Sequence, residues 1–183
     1  ENRMLGIAIR LLAVFFIGIM AACVKLAGEH GVHVVESLFW RQLAGLPVVV
    51  LWLHWQGALG DIHTNRRWGH AARMVLGLSG MALNYTAMTM LPLAESTTIG
   101  FAIPIFSAVL AAIILREPTG IWRWSAVVIG FIGVLIVVQP SGAIHGLDSA
   151  IAMAGAFMTA AVTIQIRTLS RTETTGAIVF WFS

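Results

Sequence analysis

Six apolar runs, each close to the roughly 20 residues a helix needs to cross a bilayer, follow one another along the chain. They are Leu5 to Ala27, Leu38 to Trp55, Ala71 to Leu91, Ser96 to Leu115, Ile121 to Val138 and Ala150 to Leu169, and a seventh begins near Gly176. With 58% hydrophobic and 10% charged residues and a mean hydropathy of +0.88, a chain of 183 residues cannot hide this apolar surface in a water-soluble core. Lipid must be the solvent for most of it. The expected fold class is all-α, a polytopic transmembrane helix bundle.

The cations orient that bundle. Of 11 Lys and Arg, all but Lys25 and Arg41 fall in every second gap between runs: Arg3 and Arg10 at the start, then Arg66, Arg67 and Arg73, then Arg116 and Arg123, then Arg167 and Arg171. Cationic loops are retained in the cytoplasm, so the pattern predicts an integral membrane protein with its N-terminus in the cytoplasm. Lys25 and Arg41 flank the first outer gap and face Glu29 and Glu36 there. A pI near 10.0 suggests nucleic acid in a soluble protein, but here the loops account for the arginines. No nucleic-acid partner is expected. The single cysteine, Cys23, excludes an intrachain disulfide. Met20-Ala21-Ala22-Cys23 has the look of a lipoprotein signal, yet further apolar spans follow, which favours a packed cysteine in a retained helix.

Small residues recur at helix-packing spacing in Gly18 with Ala22, Ala108 with Ala112, Gly130 with Gly133, and Ala152 with Ala156 and Ala160, and these stripes are expected as packing seams. Pro104 lies mid-span in the fourth run and should kink or unwind it. Trp52, Trp55, Trp68, Trp122 and Trp124 stand at span ends, where amphipathic rings settle. Short gaps predict that consecutive helices pack as antiparallel neighbours.

The chain also begins to repeat. Gly6 opens a run ending in Val24-Lys25-Leu26 and reaching Leu38-Phe39-Trp40 after a polar gap; Gly146 opens one ending in Ile166-Arg167 and reaching Val179-Phe180-Trp181. Five spans per unit is odd, so a second unit enters the membrane with opposite orientation, the inverted-repeat signature of secondary transporters. Lys25 outside and Arg167 inside agree with inversion.

These residues resemble the drug/metabolite transporter superfamily, in its EamA-like branch. The resemblance is carried by Phe101-Ala102-Ile103-Pro104 through Leu115-Arg116-Glu117, by Trp124, and by Gly130-Phe131-Ile132-Gly133-Val134, with Phe39-Trp40-Arg41 and Asn84-Tyr85-Thr86-Ala87 in the second and third spans. The stretch over the fourth and fifth spans looks most like bacterial S-adenosylmethionine uptake transporters. The resemblance implies two five-helix inverted repeats around a cavity open to one side at a time, moving a small metabolite or drug without a cofactor. Residues 5–140 would form the first repeat and 146–183 the beginning of the second. The start at Glu1 and the stop inside the seventh span predict a piece of a longer chain, or else a half-transporter that pairs as a homodimer or with a missing second half. A non-transporting membrane scaffold is the alternative from another class.

The candidate residues for substrate binding or gating are Arg41, Glu95, Asn84, Tyr85, Lys25 and Thr98. Charges in hydrocarbon cost about 2.5–3.5 kcal/mol each on insertion scales, so Lys25, Arg41 and Glu95 need partners or water. Either Arg41 or Lys25 attracts a cargo carboxylate while Glu95 takes a cationic group or a coupled proton, or Lys25 snorkels and Arg41 bridges to Glu95 or Glu36. Asn84 shares a face with Gly77, Gly80 and Ala87, and there it bonds either a neighbouring helix or cargo. Tyr85, with Thr89, either lines the cavity or bonds another helix. Pro104, Glu117, Gly130 and Gly133 are expected in structural roles, Glu117 in a loop-ordering ion pair with Arg116 and Arg123. No catalytic residue and no metal ligand is assigned. Gly77-Leu78-Ser79-Gly80 matches an intramembrane serine protease motif, but every histidine lies in a loop or at a span end, away from Ser79. Glu29, His30, His33 and Glu36 form a short outer loop better read as solvated than as a metal site.

Overall fold

A computed structural model describes residues 3–64, 66–115, 120–138 and 146–183, and the regular elements among them are helical. The helices are α1 (Arg3–Glu29), α2 (Val34–Trp55), α3 (Arg67–Met90), α4 (Leu93–Gly100), α5 (Ala102–Ile114), α6 (Ile121–Val138), α7 (Gly146–Leu169) and α8 (Thr175–Phe182), with a short 3-10 turn at Leu59–Ile62. At 1.5 Å per residue, the 27 residues of α1 and the 22 of α2 reach about 40 and 33 Å, enough for a hydrocarbon core of about 30 Å. Met4–Glu29, Val34–Trp55, Leu93–Ile114 and Gly146–Leu169 are both long and apolar enough to span. The chain is an all-helical membrane bundle.

α1 and α2 end in the same way. After each, a glycine in the left-handed region, Gly31 at φ 83° and Gly57 at φ 66°, turns the chain. Its N–H and the next one return to the last helical carbonyls: Gly31 to Gly28 and Val32 to Ala27, Gly57 to His54 and Ala58 to Leu53. Such reciprocal bonds satisfy carbonyls that the helix leaves open.

The fourth run is broken, though three residues before its proline. α4 and α5 meet at Phe101, at φ −66° and ψ −9°. Pro104 has no N–H to give the Gly100 carbonyl, and its ring crowds that carbonyl, so the ladder fails between the two. Pro47 inside α2 leaves that helix continuous. The boundary ion pair expected of Arg116 and Glu117 lies outside the described residues, as does His145.

Contacts fix the directions. Residues 20 and 25 of α1 meet 85, 89 and 91 near the end of α3, so α1 and α3 run parallel. Gly69 meets Gln165 and Leu169 while Asn84 meets Gly155 and Thr159, so α3 and α7 run antiparallel. α1 and α7 therefore run in opposite directions.

The main partner of α3 is α7, and α5 also packs chiefly on α7, so the heaviest contacts are not between consecutive helices as expected from the short gaps. Small side chains explain this. Between lipid-solvated helices, close approach and dispersion drive association, and Ala152, Ala156 and Ala160 are 3%, 0% and 0% exposed. Ala152 packs with Ala87, Leu91 and Ile99, and Ala156 with Ala102. Gly130 faces α5, where a Cβ would lie 3.3 Å from Ile105 Cδ1. The other stripes differ: a Cβ at Gly18 or Gly133 meets nothing within 4 Å among the described residues, and Cys23 is exposed rather than packed. Trp55 and Trp68, 83% and 89% exposed, stand at the arginine-rich end, as interfacial rings do.

Candidate functional site

α3 is long enough to span but carries His70, Arg73, Ser79, Asn84, Thr86 and Thr89. It can afford them because α1, α2, α7 and α8 surround it, so its polar groups meet protein rather than hydrocarbon. Successive faces of this helix do different work.

Gly77, Gly80, Asn84, Ala87 and Leu91 recur every three or four residues, and from Gly80 onward this stripe turns to α4 and α7. Asn84 Nδ2 donates to the Gly80 carbonyl at 2.7 Å, to Thr159 Oγ1 at 3.0 Å and to the Gly155 carbonyl at 3.3 Å. Asn84 thus bonds a neighbouring helix. Ser79 Oγ donates to the Leu76 carbonyl of its own helix at 3.1 Å.

Met81, Tyr85 and Thr89, again four apart, turn to α1 and α2. Arg41 Nη1, from α2, donates to Met81 Sδ at 2.7 Å. The Tyr85 hydroxyl, on a side chain only 4% exposed, donates to Met20 Sδ of α1 at 3.8 Å and lies within electrostatic reach of Arg41. Lys25 Nζ donates to the Leu91 carbonyl at 3.1 Å and the Thr89 carbonyl at 3.3 Å, closing the C-terminal end of α3. A side chain at Gly28 would collide with that of Thr89, so α1 and α3 touch closely here.

The remaining candidates are not drawn into this seam. Glu95 sits half-buried in the first turn of α4, and Thr98 Oγ1 donates back to the Ala94 carbonyl at 2.7 Å. Among the described residues neither Glu36 nor Glu95 is in ion-pairing distance of Arg41. Arg41 is therefore a permanent, half-buried cation whose partner is a thioether, a weak acceptor. A carboxylate or phosphate would satisfy it far better. Flanking Met20 and Met81 supply a soft, adaptable surface.

Three cavities among the described residues lie away from this seam. One of about 280 Å³ is lined by Pro104, Ser107, Ala108, Ala111 and Arg167, so Ala108 borders space rather than a tight seam. Two more, of about 280 and 310 Å³, flank Arg67 at the arginine-rich end, one beside His63 and Trp181, the other beside Trp68, Gln165 and Thr168.

Sequence reasoning missed a second polar cluster at that end. His70 is buried in the first turn of α3, with Nε2 3.7 Å from Glu173 Oε2. Arg73 lies over the Phe182 ring, 4.0 Å from its centroid, and Gln42 Nε2 donates to the Phe182 carbonyl at 2.9 Å. The spacing of His70, Arg73 and Gly77 along one helical face was the available signal. Met20 and Met81 were missed too, although Met81 stands one turn before Tyr85.

The model of the EamA-like transporter family matches residues 4–139. The chain is 33% identical over 109 residues to the S-adenosylmethionine uptake transporter of Rickettsia prowazekii, which covers 59% of this chain and 36% of that protein. It is 30% identical over 138 residues to Solute carrier family 35 member G1 of Mus musculus, covering 74% of this chain and 36% of that protein. It is 25% identical over 137 residues to the Riboflavin transporter of Vibrio cholerae, covering 74% and 46%. The chain thus spans less than half the length of these relatives. No solved structure matches it.

Proposed function

The chain belongs to the EamA-like transporter family, and from that membership we propose that it supplies the first five-span unit, residues 5–140, and the opening of a second unit, residues 146–183, of a secondary transporter. The transporter moves a small metabolite or drug across the bacterial inner membrane by alternating access, with the N-terminus in the cytoplasm. The opposite running of α1 and α7 supports inverted units, and the placement of α7 against both α3 and α5 supports a joint where the two units move against each other.

The observation that carries the reading is Arg41: a half-buried cation in the outer half of α2 whose hydrogen bond, among the described residues, goes to the Met81 thioether. Its natural partner is an anionic group on the cargo. An amino-acid-like compound such as S-adenosylmethionine fits, its carboxylate at Arg41 and its cationic groups within the range of Glu95, which otherwise carries a coupled proton. Tyr85 holds the wall behind Arg41, and Lys25, Asn84 and Thr98 shape the surrounding helices.

Gradient-driven flux by the full-length protein in proteoliposomes tests this. Labelled S-adenosylmethionine and a panel of amino acids and nucleoside-like compounds are offered with and without an ion gradient. Accumulation of at least one compound is expected; no flux across the panel would turn the reading toward a non-transporting scaffold.

A further inference from the structure

The buried side-chain nitrogens without a hydrogen-bond partner, among the described residues, belong to two residues one turn apart on α3: Nδ1 and Nε2 of His70, and Nε and Nη1 of Arg73. Folded proteins satisfy nearly all such groups, so their concentration at one point marks bonding capacity held for another purpose. The side chains of His70 and Glu173 are 3% and 6% exposed, and their 3.7 Å approach is the one ion-pairing contact among the described residues.

The two partners come from different units. His70 and Arg73 belong to α3, whereas Glu173 belongs to the turn between α7 and α8, fixed there by its N–H bond to the Leu169 carbonyl at 2.9 Å. Around them, the Trp181 ring of α8 lies 6.0 Å from His70, and Phe182 lies under Arg73. The contact ties the start of the second unit to the central helix of the first, at the arginine-rich mouth and away from Arg41.

The geometry points to His70 and Glu173 as a proton-binding pair that latches this mouth, a coupling-ion site for the transporter proposed above, on which it rests. With a proton on His70 Nε2, an imidazolium faces the Glu173 carboxylate and holds the α7–α8 turn against α3. When that proton passes from Nε2 to water at the mouth, the carboxylate is left buried beside a neutral ring, a costly arrangement, and the turn moves away. Reprotonation closes it. Other charges bear on the pair: Arg73 adds a fixed positive charge from α3, and Arg66 is held at the rim by its bond to Thr172 Oγ1 at 3.2 Å. Arg67 and His63 line the cavity beside Trp181, Arg171 is exposed on the turn, and α8 contributes no charged side chain.

The test is a distance measurement that needs no cargo. In full-length protein carrying Cys23→Ser, spin labels are placed at the exposed positions of Trp68→Cys and Arg171→Cys, and the label separation is read from about pH 5.5 to about pH 8, the range in which histidine changes charge. The separation is expected to lengthen as pH rises, and to stop following pH in both His70→Gln and Glu173→Gln. Either variant alone suffices if the other fails to fold. A separation indifferent to pH in the parent protein, or an unchanged pH response in a folded variant, overturns the latch even where flux is normal. A pH-dependent separation beside an idle flux panel upholds the latch but overturns its role in coupling, so the two readings fall separately.

Discussion

Asn84 and Gly155 meet back to back where α3 crosses α7: the Asn84 amide donates to the Gly155 carbonyl at 3.3 Å, and a Cβ on Gly155 would stand 3.1 Å from the Asn84 backbone nitrogen and from its Cγ and Oδ1. A Cβ at 155 therefore requires Asn84 to give by a few tenths of an ångström, and a larger side chain requires more. Gly155→Leu is expected to destabilise the detergent-solubilised protein more than Asn84→Leu, which removes polar bonds worth about 1 kcal/mol in a membrane. Melting followed by fluorescence and size exclusion checks the order; equal melting temperatures for the two variants would contradict the close approach.

Lys25 acts on the end of α3 through two carbonyls, Thr89 and Leu91. A cation at a helix C-terminus contributes about 0.3–1 kcal/mol. Lys25→Met should lower the melting temperature by a few degrees and leave flux within about two-fold of the parent, since the charge is engaged with backbone. Abolished flux at an unchanged melting temperature would move Lys25 into the cargo path.

Pro104 separates α4 from α5 by withholding a bond from Gly100. Pro104→Ala restores that donor and should fuse the two helices, raising thermal stability while narrowing the cavity that Pro104 shares with Arg167. Slower flux from a more stable protein is the expected pair of readings; unchanged flux would mean that the break plays no part in transport.

Much of this was legible in the sequence, for reasons that differ by residue. Run length sufficed for α1, α2 and α7, and the Ala152, Ala156 and Ala160 stripe was readable because only small side chains permit such close packing. Gly18, Gly133 and Cys23 carry the same composition, yet among the described residues Gly18 and Gly133 have no close neighbour and Cys23 is exposed, and spacing alone does not say which face is covered. Asn84 could be placed on its seam by periodicity, but not joined to Thr159, which lies 75 positions later. His70 looked like a loop histidine because the apolar run begins after it. Only the return of Glu173 and Trp181 from the far end of the chain encloses it.

Flux through Arg41→Ala in proteoliposomes decides whether Arg41 meets the cargo. A charge-assisted bond to an anionic group is worth about 1.5–3 kcal/mol, or roughly ten- to a hundred-fold in affinity. The variant should insert and melt like the parent, lose transport by at least that factor at low substrate, and recover only partly as Arg41→Lys. Normal flux in Arg41→Ala, with insertion and stability unchanged, would contradict the account.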